Sequence, residues 1–166
     1  VTNLEKELLQ LLRTNARMTI NDLAVHLSST EKKVQQLIQA LEEKGVINGY
    51  TALVNPTEMS KNGNPCIRAF VELSVSPEKK KGYDGIAKRI YQYPNVLGHY
   101  LLSGQYDFLV IVEGSSHEEI AAFVFDKLAT IDSVQSTNTH FVFTTYKDNG
   151  HTLSQSDSVD RVPVIA

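Results

Sequence analysis

The residues best placed to do chemistry sit in one short loop, Ser103-Gly104-Gln105-Tyr106-Asp107. They put a carboxylate, hydroxyls and open backbone between two β-prone runs, at a strand end of the kind where small ligands often bind. Gly104-Gln105 is expected to form a two-residue type II′ turn, since only Gly takes φ > 0 cheaply at its first position. The run after the loop, Phe108 to Val112, is apolar at every position. Such a strand needs cover on both faces, or cover on one and a partner subunit on the other.

A second constellation lies in the first third. Lys32, Lys33, Gln35, Gln36 and Gln39 point outward from an expected helix whose inner face is Val34, Leu37, Ile38 and Leu41. Lys neutralises phosphates and Gln pairs with an adenine edge, so this face has the chemistry to read duplex DNA. A polar outer face is also the norm for any solvated helix. What favours DNA is the plan around it.

That plan has three helices. Leu4, Leu8, Leu11 and Leu12 form the stripe of a first helix, with Thr2 and Glu5 spaced as a capping box. Thr19 caps a short second helix that buries Ile20, Leu23, Ala24 and Leu27. Ser28 and Glu31 are spaced to cap the third, which stops at Gly45, with Val46 and Ile47 closing the core. A short helix, a tight turn and a longer helix braced by a first one is the tri-helical helix-turn-helix arrangement.

Charge sets a limit. Over residues 1–55, Lys6, Arg13, Arg17, Lys32, Lys33 and Lys44 are cancelled by Glu5, Glu7, Asp22, Glu31, Glu42 and Glu43. Phosphate contacts supply most DNA affinity, so two copies in a dimer are expected to be needed. The formal charge of −3 over 166 residues excludes a bulk polybasic binder but not a local nucleic-acid face. No apolar run approaches the ~20 residues of a membrane span and no signal-peptide pattern opens the sequence, which predicts a cytoplasmic protein. Cys66 is single, so no internal disulfide is expected, and the residue reads as core.

The expected organisation is a DNA-binding domain over 1–55, a linker over 56–65, a sensing and oligomerisation domain over 66–147 and a polar tail over 148–166. Tyr50–Val54 reads as a short strand, a candidate to pair with its own copy in a dimer, before the turn-rich Lys61–Pro65. In the second domain, Ile67, Ala69, Val71, Leu73 and Val75 alternate along a strand. Ser76-Pro77-Glu78 signals a helix start, Lys79–Lys81 a solvated first turn, and Tyr83, Ile86, Ala87 and Ile90 the buried stripe. After the hairpin, Ser116 and Glu119 cap a helix burying Ile120, Phe123, Val124 and Leu128, and a last strand runs from Val134 to Tyr146. This order is the ferredoxin-like βαββαβ plan, with both helices on one sheet face and the other left for a second subunit. The fold class is α+β.

Several segments carry a family resemblance: Asn15-Ala-Arg17 and Asp22-Leu-Ala24; Leu41-Glu-Glu-Lys-Gly-Val-Ile-Asn-Gly-Tyr50 leading to Val54-Asn-Pro56; and Gly104-Gln-Tyr-Asp107. In this order and spacing the chain resembles the Lrp/AsnC, or feast/famine, transcriptional regulators. The resemblance implies a winged-helix-like DNA-binding domain and an effector domain. It implies dimers formed through sheet faces that assemble to tetramers or octamers, and an amino-acid or related effector held between dimers. By that likeness the effector set is Gly104, Tyr106 and Asp107, with Ser136, Thr137, Asn138 and Thr139 opposite. Asp107 suits an α-ammonium; backbone N–H groups and Thr hydroxyls suit a carboxylate. The expected DNA set is Arg17, Ser29, Thr30, Lys32, Lys33, Gln35, Gln36 and Gln39. One departure is Leu37, where the family often carries Arg.

Two other readings remain. An architectural DNA-binding protein of the same fold would lack the effector. An enzyme would draw on His99, Tyr100 and His140, since distant relatives of this architecture decarboxylate tetrapyrroles. No Walker loop, dinucleotide fingerprint, metal-ligand spacing or nucleophile elbow is present, so no enzyme activity and no cofactor are expected.

Overall fold

Thr2 starts the first helix. Its hydroxyl accepts the Glu5 N–H at 3.3 Å, and the Glu5 carboxylate accepts the Thr2 N–H at 2.6 Å, the expected capping box. Helix α1 spans Asn3–Thr14, α2 Ile20–His26 and α3 Glu31–Glu43. The computed structural model describes residues 2–55, 60, 63, 65–77 and 82–153. The chain divides into two units between Ala52 and Leu53.

In the first unit Leu8, Leu23, Leu27, Val34 and Leu41 are buried, with Leu4, Leu11, Leu12, Leu37, Ile38 and Ile47 packed around them. Val46 is exposed and takes no part in that core. The turn between α2 and α3 differs from expectation. Ser28 is not the cap of α3; it sits at φ 47° as the residue that ends α2. The Ser28 N–H reaches the Val25 carbonyl and the Ser29 N–H reaches the Ala24 carbonyl, the Schellman pattern. The cap of α3 is Thr30, whose hydroxyl accepts the Lys33 N–H at 3.3 Å. Helix α3 ends in the same pattern at Gly45, φ 66°, as the sequence predicts.

Within one chain residues 48–55 form no strand; a single chain does not test Tyr50–Val54 as a strand paired with its own copy in a dimer. A lone β-prone segment has no ladder to satisfy its backbone, and Tyr50 instead donates its hydroxyl to Glu42 at 2.8 Å.

The second unit carries strands β1 (Ile67–Val75), β2 (Val96–Leu101), β3 (Phe108–Gly114) and β4 (Val134–Phe141). They form one antiparallel sheet in the order β2-β3-β1-β4. Helix α4 (Asp84–Ile90) and helix α5 (His117–Phe123) complete the βαββαβ order. Ala69, Val71, Leu73, Val110 and Val112 meet Ile86, Ile90, Ile120 and Leu128 in a single core on one sheet face.

Ser116 caps α5 by accepting the Glu119 N–H, as expected. The Glu119 carboxylate reaches Ser115, not the cap residue's own N–H. A π-helical turn, Val124–Leu128, continues α5. It buries Val124 and Leu128 and leaves Phe125 75% exposed. Helix α4 spans Asp84–Ile90, and the helix start read at Ser76-Pro77-Glu78 runs into residues 78–81, which lie outside the described residues. Ser76 belongs to the sheet's end, its N–H bonded to the Ser133 carbonyl and its hydroxyl accepting from Gln135. The last strand stops at Phe141, short of Tyr146, and Phe143 is 96% exposed. Asn149-Gly150, both at positive φ, turn a small hairpin between β5 (Lys147–Asp148) and β6 (His151–Thr152). The lysines 79–81, most of the 61–65 turn and the tail beyond Leu153 lie outside the described residues.

Candidate functional site

The loop before β3 is held by its own carboxylate. Asp107 accepts the Val75 N–H at 2.8 Å on one oxygen and the Tyr83 hydroxyl at 3.1 Å on the other. Its backbone N–H bonds the Leu73 carbonyl, and its carbonyl closes the hairpin by accepting the Leu102 N–H at 2.7 Å. The hairpin is therefore not the expected two-residue turn, and Gly104 is not among the glycines at positive φ. The bond to Asp107 raises the Tyr83 hydroxyl above its ordinary range. The Tyr83 ring packs edge-on to Phe108.

The start of β4 lies beside the same end of β1: Thr137 pairs with Leu73 and Ser136 with Ser74. The pleat splits the predicted set. Thr137 and Thr139 share the face of Leu73 and Val71, toward the helices, while Ser136 and Asn138 take the other. Asn138 is engaged there, its amide donating to Glu72 at 3.2 Å and lying 3.0 Å from His140. Gly104 is exposed, and Tyr106 and Asp107 are half-buried. Within one chain these residues gather at one end of the sheet without closing around a ligand.

The open sheet face also carries Phe70, 39% exposed, and Tyr100, 53% exposed. Leu109 and Ile111 stand beside them in register and are half-buried. At its edge Arg68 donates through Nε and Nη2 to Glu113, at 2.9 and 2.6 Å, and through Nη1 to Asp148 at 2.8 Å. Cys66, read as core, is half-buried; burial and the nearby Glu113 push its thiol up.

His99 and His140 do not form one acid–base centre. His99 pairs with buried Val110 and His140 with Phe70, so the sheet stands between them. The His99 ring lies tilted against Phe108 with centroids 4.6 Å apart, burial lowers its pKa, and its Nε2 has no hydrogen-bond partner among the described residues. His140 lies 3.1 Å from Glu72. Among the described residues no cluster of His, Cys, Asp and Glu is built to hold a metal ion.

In the first unit, Lys32, Lys33, Gln35, Gln36 and Gln39 are all exposed on α3. Arg17 is exposed in the α1–α2 turn, where its N–H bonds the Asn15 side chain at 3.0 Å. Thr30 is exposed with its hydroxyl used as a cap, and Ser29 is half-buried. Leu37 packs against the core.

Residues 68–152 match the family model of the Lrp/AsnC ligand binding domain. Residues 2–48 match a winged helix-turn-helix DNA-binding model. The chain belongs to the Lrp/AsnC family. It is a transcriptional regulator with a DNA-binding domain and a ligand-binding domain. It is 35% identical to the uncharacterised HTH-type transcriptional regulator YugG of Bacillus subtilis, over 99% of this chain and 98% of that one. It is 27% identical to the regulator FL11 of Pyrococcus furiosus, over 88% of this chain and 91% of the relative. Among solved structures, it is similar to the transcriptional regulator NMB0573 of Neisseria meningitidis in complex with L-Met. That likeness has a TM-score of 0.73, 25% identity, and 92% and 94% of the two chains covered. No helix among the described residues of this Lrp/AsnC regulator is long and apolar enough to cross a membrane.

Proposed function

We propose that this protein is a sequence-specific regulator of transcription whose second domain binds an amino acid or related metabolite. The observation that carries the reading is the place of Gly104–Asp107. The loop lies inside the segment matching the ligand-binding family and beside the start of β4. The solved relative with L-Met gives the ligand class its support. The effector set is Gly104, Tyr106, Asp107, Ser136, Thr137, Asn138 and Thr139, completed by a second copy, since one chain leaves it open. The DNA set is Arg17, Ser29, Thr30, Lys32, Lys33, Gln35, Gln36 and Gln39. The organisation proposed is DNA binding over 1–55, a linker over 56–65, sensing over 66–147 and a polar tail over 148–166, with the family match carrying the second domain on to residue 152.

Self-association uses the open sheet face. Phe70, Tyr100, Leu109 and Ile111 gain about 25 cal/mol for each Å² of apolar area removed from water. A homodimer places two reading helices on one duplex, and further assembly to a tetramer or octamer creates the clefts that hold the effector. The protein works in the cytoplasm, on DNA, as a regulator without catalysis.

One observation favours a second reading, an architectural DNA-binding protein without effector: both Asp107 oxygens are already engaged within the chain. A thermal-shift screen against the twenty amino acids separates the two. A bound effector at 100 times its Kd stabilises by about 2.7 kcal/mol. A flat screen, with gel shifts on the gene's own upstream region unchanged by any amino acid, favours the architectural role.

A further inference from the structure

We infer that Gln36 is the residue with which this protein reads sequence, and that it selects adenine in the major groove. The inference rests on the proposed sequence-specific regulator and names the base its reading helix takes.

Helix α3 turns Val34 and Leu41 fully inward. At 100° per residue, the line opposite them passes through Lys32, Gln36, Gln39 and Glu43. Gln35 and Lys33 fall to the two flanks. All six are exposed. In a helix-turn-helix the second helix lies in the major groove and its N-terminal residues meet the base edges. Lys32 and Gln36 are the members of the outward line in the first half of α3.

The side chains on that line are not equally available. The Gln39 amide donates to the Glu43 carboxylate at 2.9 Å. Reading adenine needs both ends of the amide at once: Nε2–H to N7 and Oε1 from N6–H. One of the two Gln39 amide hydrogens is held by Glu43, which turns the amide along the helix rather than outward. Among the described residues Gln36 has no hydrogen-bond partner, so its donors and acceptor are free for a base. Lys32, one turn before it, has no ion pair among the described residues, and its ammonium can hold a phosphate and fix the register. No Arg stands on α3, which leaves guanine contacts to Lys32 and Lys33 alone. A neutral amide on the central line, flanked by an unpaired cation, selects A·T pairs oriented with adenine toward it.

The test is selection from duplexes with a randomised core, using the full chain, followed by binding to single-base variants of the winner. The wild type is expected to fix adenine at one position in each half-site and to lose roughly 5- to 150-fold in affinity when that base is changed. Gln36→Arg is expected to move the preference at that position alone to guanine. Gln36→Ala should flatten it and leave the other positions unchanged. Gln36 is exposed, and matching far-UV spectra and melting curves establish that each variant is folded. If the wild type selects a sequence and both variants select the same one, the assignment to Gln36 is overturned while the specific regulator stands. If the wild type enriches no sequence, both fall.

Discussion

The Asp107 carboxylate accepts the backbone N–H of Val75 at 2.8 Å, joining the loop before β3 to the last residue of β1. The two are 32 residues apart, and the bond satisfies a donor where a bulge interrupts the β1–β4 ladder. Asp107→Ala leaves that N–H without a partner. It should cost about 1–3 kcal/mol in urea unfolding. Asp107→Asn keeps an acceptor for Val75 and should lose less. Both variants should weaken any amino-acid binding, and Asp107→Asn more in binding than in stability, because it removes the charge for an ammonium.

A pH effect follows from His99. Burial lowers its pKa from the ordinary 6.5, so the folded chain resists protonating it. The unfolded chain binds that proton more readily, so stability falls as pH drops through about 6.5 and levels off below the folded value. Urea midpoints at pH 7.5 and 5.5 should differ in that direction, and His99→Gln should shrink the difference. Glu5 acts in a separate, lower window. The Thr2 N–H bond, above all, holds its carboxyl below the usual 4.5. Its contribution is present above 4.5 and is lost as pH falls below that.

Gly98 sets the shape of the open sheet face. A Cβ there would lie 2.9 Å from the Tyr100 ring and 3.1 Å from Ile111 Cδ1. Gly98→Val should force the ring aside and shift the protein toward monomer in sedimentation velocity. It should also cost about 1–3 kcal/mol of stability through overpacking.

Arg68 ties Glu113 to Asp148 and so pins the β5–β6 hairpin to the sheet. Arg68→Ala should speed amide exchange over residues 147–153, and Arg68→Lys should rescue little, since one ammonium does not span both carboxylates in the same geometry.

What the sequence made legible was periodic or local. The alternation of β1, the stripes of α1 and α3, and the caps at Thr2, Thr19 and Ser116 each depend on residues within a turn or two. What it hid depends on distant partners. The Gly104 loop takes its form from Asp107 bonding to Val75, and Ser28 lost the cap of α3 because ending α2 needed a left-handed residue. Tyr50–Val54 has strand composition without a strand to pair with in its own chain. At the candidate site the residue types were readable, but the engagement of Asp107 and Asn138 inside the chain was not.

The central claim is that ligand and DNA binding are coupled in one assembly. The direct measurement is the anisotropy of a labelled, selected duplex titrated with the full chain, with and without whichever amino acid raises its melting temperature. The account predicts a change in DNA affinity of roughly 5- to 150-fold, matched by an equal change in amino-acid affinity when DNA is present. An amino acid that binds yet leaves the DNA isotherm unmoved, or the absence of any that binds, would contradict it.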